Sequence, residues 1–140
     1  MFSKAYQLLG GEVRNMSNPL QSLVIIRNGL PVLFFEKGRE HLSVSKSVYA
    51  QLIGVSLSSI QRMKKANVRL SPASSEHVLM LTDLVVQCDS YFDDIEKRNH
   101  WLNCPNLSLG NATPISICDT AMGIKLVSEA IVKLKSGFVA

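Results

Sequence analysis

The chain has 140 residues, 46% of them hydrophobic and 19% charged, with a net charge of +4. That composition excludes a disordered polymer, and the length leaves room for one compact domain or two very small ones. The charge is uneven: residues 1–69 carry ten Lys/Arg and three Asp/Glu, whereas residues 70–140 carry five and eight. A basic half followed by an acidic half suggests two tasks, with the basic half suited to polyanion contact.

Residues 1–18 have weak periodicity and two adjacent glycines, Gly10 and Gly11. They read as a flexible arm with at most a short helix near Lys4–Leu9. Met1–Gly10 holds no apolar core of signal-peptide length. The most apolar stretch, Leu20–Phe35, is interrupted by Arg27, Asn28, Gly29 and Pro31, so it is too broken to cross a bilayer. A cytoplasmic protein without a membrane segment is expected.

Asn18-Pro19 is a helix start, with Asn18 as N-cap, and Asn28-Gly29 is the matching stop. Pro31 opens a second helix that ends near His41. Ser45 can cap a helix through Ile53, and Ser56 can cap the next, Leu57–Lys65. Ser71-Pro72 then begins the longest periodic segment, which runs to Phe92. Its apolar residues Val78, Leu81, Leu84, Val85, Cys88 and Phe92 recur at three and four. A short helix over Asp93–Leu102, a loop over Asn103–Asn111 and a turn from Thr113-Pro114 to Cys118 follow. The last helix is capped by Asp119 or Thr120 and closed by Gly137; Ile124, Val127, Ile131, Leu134 and Phe138 form its stripe. No segment alternates apolar and polar residues for long, so the fold class is all-α, with a boundary near residue 69.

Catalytic patterns are missing. There is no GxGxxG, P-loop or HExxH sequence. His41, His77 and His100 are scattered without a matched nucleophile, and Asp93-Asp94 are neighbours that a helix turns about 100° apart. Cys88, Cys104 and Cys118 form no CxxC pair, so neither a metal site nor a cofactor is expected and the thiols read as reduced. No enzymatic activity is expected.

The strongest local motif is Lys46–Lys65, KSVYAQLIGVSLSSIQRMKK. Ala50 supplies the small residue that two crossing helices need, and Gly54 the turn residue that tolerates a positive φ. Tyr49, Ile53, Val55, Ile60 and Met63 fall where a shared core would form. The motif resembles the Xre/Cro type of helix-turn-helix, in which the second helix enters the major groove. On Leu57–Lys65 the candidate DNA-binding residues are Ser58, Ser59, Gln61, Arg62, Lys64 and Lys65. Gln61 and Arg62 have base-reading chemistry, toward adenine and guanine; Lys64, Lys65 and Arg69 suit phosphates.

The second half carries a further resemblance. Leu70-Ser71-Pro72, His100-Trp101-Leu102, Pro105-Asn106-Leu107, Leu109-Gly110, Thr113-Pro114, Asp119-Thr120, Gly123 and the closing Gly137-Phe138-Val139-Ala140 together look like the toxin-binding domain of the Xre/MbcA/ParS antitoxins. That resemblance implies a type II antitoxin whose partner is a RES-domain toxin acting on NAD. It implies that the last helix and tail cover the toxin's NAD pocket, with Ile131, Leu134, Lys135, Gly137, Phe138, Val139 and Ala140 as toxin-binding residues. The chain departs from the family pattern at Lys135-Ser136, where many relatives carry an acidic or aromatic residue. The expected organisation is an arm (1–18), a helix-turn-helix domain (19–69) that binds operator DNA as an autorepressing homodimer, and a toxin-binding domain (70–140). A stand-alone transcription regulator whose second domain only dimerises is the alternative reading.

Overall fold

The computed structural model describes residues 1–137. Among them are eight α-helices and three short 3-10 turns, and the extended pairing is limited to one isolated bridge, Asn106 with Ala112. The protein is all-α. It forms two compact units, Met1–Asp83 and Leu84 onward. The division lies inside a helix, 14 residues beyond the boundary read near residue 69.

The first unit begins with α1 (Ser3–Leu8) and a 3-10 turn at Val13–Met16. Residues 1–18 are packed, not a loose arm. Ala5 and Leu9 are fully buried, Met16 nearly so, and the Tyr6 and Phe34 rings lie 5.8 Å apart. The segment is too short for periodicity to reveal this. Helix α2 (Pro19–Asn28) starts where Asn18 accepts a hydrogen bond from the Gln21 amide at 2.9 Å, and it stops at Gly29, φ +84°. Helix α3 (Leu33–Leu42) places Phe35 edge-on to Tyr49, ring centres 5.2 Å apart.

Helix α4 (Lys46–Ile53) is capped by Ser45, and α5 (Leu57–Ala66) by Ser56. Between them Gly54 takes φ +75°, a conformation that costs a side-chain-bearing residue about 1 kcal/mol. Tyr49, Ala50, Leu52, Ile53 and Ile60 are buried beneath the pair.

Helix α6 (Pro72–Asp89) is longest and is capped by the Ser71 hydroxyl. Periodicity predicts it to Phe92, but it ends three residues sooner. There the Ser90 hydroxyl donates to the Gln87 carbonyl at 2.6 Å and competes with the helical ladder. Phe92 turns instead to Trp101, ring centres 5.8 Å apart.

In the second unit Asp94 caps α7 (Ile95–Asn103), accepting from the Lys97 amide at 2.7 Å. The loop behind it holds two left-handed residues, Gly110 and Asn111. A 3-10 turn at Pro114–Ile117 leads into α8 (Ala121–Lys135), capped by Thr120. Gly123 lies so near the Ile117 carbonyl that a Cβ would overlap it. Ile124, Val127, Ala130 and Ile131 are the buried stripe of α8.

Candidate functional site

Helix α5 is the most polarised surface of the first unit. Its inner side rests on Ile60, buried, and Met63, half-buried. On its outer side Ser58, Gln61, Arg62, Lys65 and Ala66 line a shallow concavity of about 490 Å³. Two predicted residues lie off that line. Ser59 is half-buried and tied up locally: its hydroxyl receives hydrogen bonds from Ser56 Oγ at 2.9 Å and Arg62 Nη2 at 3.3 Å. Lys64 lies on the edge nearer α3, where it lines a different groove. The reason is angular: at about 100° per residue, positions 58, 61, 62 and 65 share one side, while 59 and 64 flank it.

The chemistry of the outer line suits nucleic acid. Arg62 offers a planar guanidinium, Gln61 an amide with donor and acceptor, and Lys65 an ammonium. The first unit holds ten Lys/Arg and five Asp/Glu, so the helix projects from a cationic body. Arg69 is engaged otherwise. It donates to the Gly29 carbonyl at 3.0 Å and so caps the C-terminus of α2.

The second candidate surface is the end of α8. Ile131 is fully buried and packs its own unit, so it presents nothing to a partner. Leu134 is half-buried; Lys135 and Gly137 are exposed, and Gly137 takes φ +84°. Phe138, Val139 and Ala140 lie outside the described residues. The outer face of α8, which the sequence reading passed over, exposes Met122 and Leu126, four residues apart, with Lys125, Glu129 and Lys133 around them. Leu107, the first residue of the short 3-10 turn Leu107–Leu109, is 89% exposed. Exposed apolar side chains on one helix face are the signal that a helical-wheel count can give.

Other polar groups of this unit serve structure. Arg98 is only 2% exposed, and its Nη1 donates to both Asp89 oxygens at 3.0 and 3.2 Å. Gln87 accepts a short hydrogen bond from the Ser128 hydroxyl and so links α6 to α8. Burial pushes the Cys88 and Cys118 thiols up to about 12, which keeps them protonated. Cys104 is half-buried, with Sγ 3.4 Å from His100 Nε2. Among the described residues no group of three or more His, Cys, Asp or Glu is placed to hold a metal ion, and no helix is long and apolar enough to cross a membrane.

A tight helical pair with an outward cationic line, followed by a second helical unit, defines a two-part helix-turn-helix protein. Residues 23–82 match the family model of the antitoxin Xre-like helix-turn-helix domain. Residues 87–137 match that of the antitoxin Xre/MbcA/ParS C-terminal toxin-binding domain. Two curated relatives agree. The Prs ADP-ribosylating antitoxin of Sphingobium is 27% identical over 130 residues, covering 86% of this chain and 82% of the relative. Antitoxin Xre of Photorhabdus laumondii is 24% identical over 117 residues, covering 83% and 79%. The chain belongs to the Xre/MbcA/ParS antitoxin family, and its partner is a toxin.

Proposed function

We propose that this antitoxin neutralises a RES-domain toxin by laying the end of α8 and the tail after it over the toxin's NAD pocket. The same chain acts as a non-catalytic autorepressor, binding its operator as a homodimer through α5. The observation that carries the toxin half is the toxin-binding match, which ends at Gly137, beside the exposed Lys135 and Ser136. The Sphingobium relative's name joins an antitoxin to ADP-ribosylation, a reaction that consumes NAD, and so supports a toxin of that chemistry. The DNA half rests on the outward line of Ser58, Gln61, Arg62 and Lys65. The homodimer is supported by α2, which exposes Leu20, Leu23 and Val24 on one face.

Because Ile131 is buried, the covering role falls on the exposed end of the helix and the four residues after Ser136. Deletion of residues 136–140 tests it. The truncated protein is expected to bind operator DNA normally and to lose protection when co-expressed with the toxin encoded beside it. Full protection by the truncated protein would overturn the covering role.

A further inference from the structure

Helices α3 and α5 of the first unit enclose a second groove, of about 470 Å³, that shares only Gln61 with the outer line of α5. Phe35 and Ile60 are buried beneath it, and Leu33, Leu57 and Met63 form apolar walls. Leu33 is 62% exposed. The volume lies within the range of small-molecule sites, roughly 300–1,000 Å³.

Three charged side chains line the groove: Glu36, Lys46 and Lys64. They do not cancel. The Glu36 carboxylate is engaged by the Arg39 guanidinium in a short ion pair, and Lys46 Nζ lies 3.8 Å from its other oxygen. Arg39 is shared with Glu40, 3.9 Å away, so Arg39, Lys46 and Lys64 face two carboxylates and one positive charge is left in excess. Lys64 makes no ion pair among the described residues, though its charge helps to hold the Glu36 carboxyl below its usual range. An apolar floor beneath two ammonium groups, with one positive charge in excess, fits a ligand with an apolar body and a single negative head. A DNA phosphate would leave that floor empty, and a neutral apolar ligand would leave the lysines unused.

We propose that the groove between α3 and α5 binds a small amphipathic anion, with its acidic head on Lys46 and Lys64 and its apolar body against Phe35, Ile60 and Leu33. Gln61 and Lys64 belong both to this groove and to α5, so the bound anion competes with operator DNA; this consequence rests on the DNA reading above.

Decanoate, kept below its micelle concentration, is the probe. Calorimetry on the full chain without DNA measures its binding. Wild type is expected to bind one equivalent. Lys46→Ala is expected to bind roughly fivefold more weakly, and Leu33→Glu about tenfold or more, because it adds a like charge to the groove. Both side chains are at least 60% exposed, so the fold should tolerate these changes. Ile95→Gln, an exposed apolar position on α7 of the second unit, should bind as wild type. Equal binding by wild type and Leu33→Glu, or loss that follows the Ile95 variant, overturns the site. In a separate DNA titration, decanoate should weaken operator binding by wild type but not by Leu33→Glu. No operator binding even without decanoate would count against the DNA reading alone, since the calorimetry still decides the site.

Discussion

Gly38 on α3 packs directly against the hydroxyl end of Tyr49 on α4. A Cβ on Gly38 would lie 3.0 Å from Tyr49 Cζ and closer still to its oxygen. In an open helix, Gly→Ala stabilises by about 0.5–1 kcal/mol. Here the overlap should reverse the sign. Gly38→Ala is expected to cost about 1–3 kcal/mol in urea unfolding, the usual range for overpacking. Tyr49→Phe in the same chain should recover part of that loss, because it removes the nearest atom but leaves Cζ close. Additive losses in the double mutant would separate the two residues.

The approach of Gly123 to the Ile117 carbonyl is less forgiving, because a backbone atom cannot rotate away. Gly123→Ala is expected to lower stability by about 3 kcal/mol or more. The first turn of α8 should loosen with it, so toxin protection should fall while operator binding persists. Hydrogen exchange localised to residues 121–135 is the check.

The Arg98–Asp89 pair joins a guanidinium 2% exposed to a carboxylate that is 46% exposed. Loss of one partner of a fully buried pair costs about 3–5 kcal/mol; the exposed aspartate calls for a lower value here, about 1–3 kcal/mol for Asp89→Asn. Thermal unfolding in low and high salt measures it, and a buried guanidinium should leave the loss nearly salt-independent.

The three thiols should separate by reactivity. Cys88 and Cys118 are buried, with their thiols pushed up to about 12, whereas Cys104 is half-buried. Ellman's reagent should label one thiol quickly in the native protein and two more on unfolding; three fast thiols would contradict the packing. The same shifts fix a pH dependence. The folded values are raised, so the stabilising effect is complete below the ordinary thiol value of 9.0 and is lost as pH rises from there toward about 12. Cys88→Ala should lessen that alkaline decline.

Lys64 and Lys65 occupy the last turn of α5, and only Lys65 is on the outer line. If both neutralise phosphates, replacing both with Ala should reduce the salt slope of operator binding by about 1.8. Gln61→Ala should instead relax discrimination at one base pair by about 1–3 kcal/mol. An unchanged slope in the double lysine variant would move the phosphate contacts off this turn.

The sequence by itself determined most of the helices, their starts and several of their ends. Asn18, Ser45, Ser56, Ser71, Asp94 and Thr120 each cap the next helix through a local side-chain bond, and Gly29, Gly54 and Gly137 mark stops or turns where φ is positive. Such bonds span three or four residues, so a linear reading contains both partners. The spacing of Ala50, Gly54 and Ile60 likewise carried the helix-turn-helix. Tertiary structure alone decided burial and partnership. It buried Ala5, Leu9 and Met16 in a segment too short to show a period, and it turned Ser59 into its own helix terminus. It also buried Ile131, leaving α8 to present Lys135 and the face around Met122 and Leu126. The groove beside Lys46 and Lys64 exists only because Leu33, Phe35 and Glu36 of α3 lie together with Ile60, Met63 and Lys64 of α5, more than twenty residues later in the chain. A helix stripe shows which side is apolar; only packing shows whether its own chain or a partner covers it.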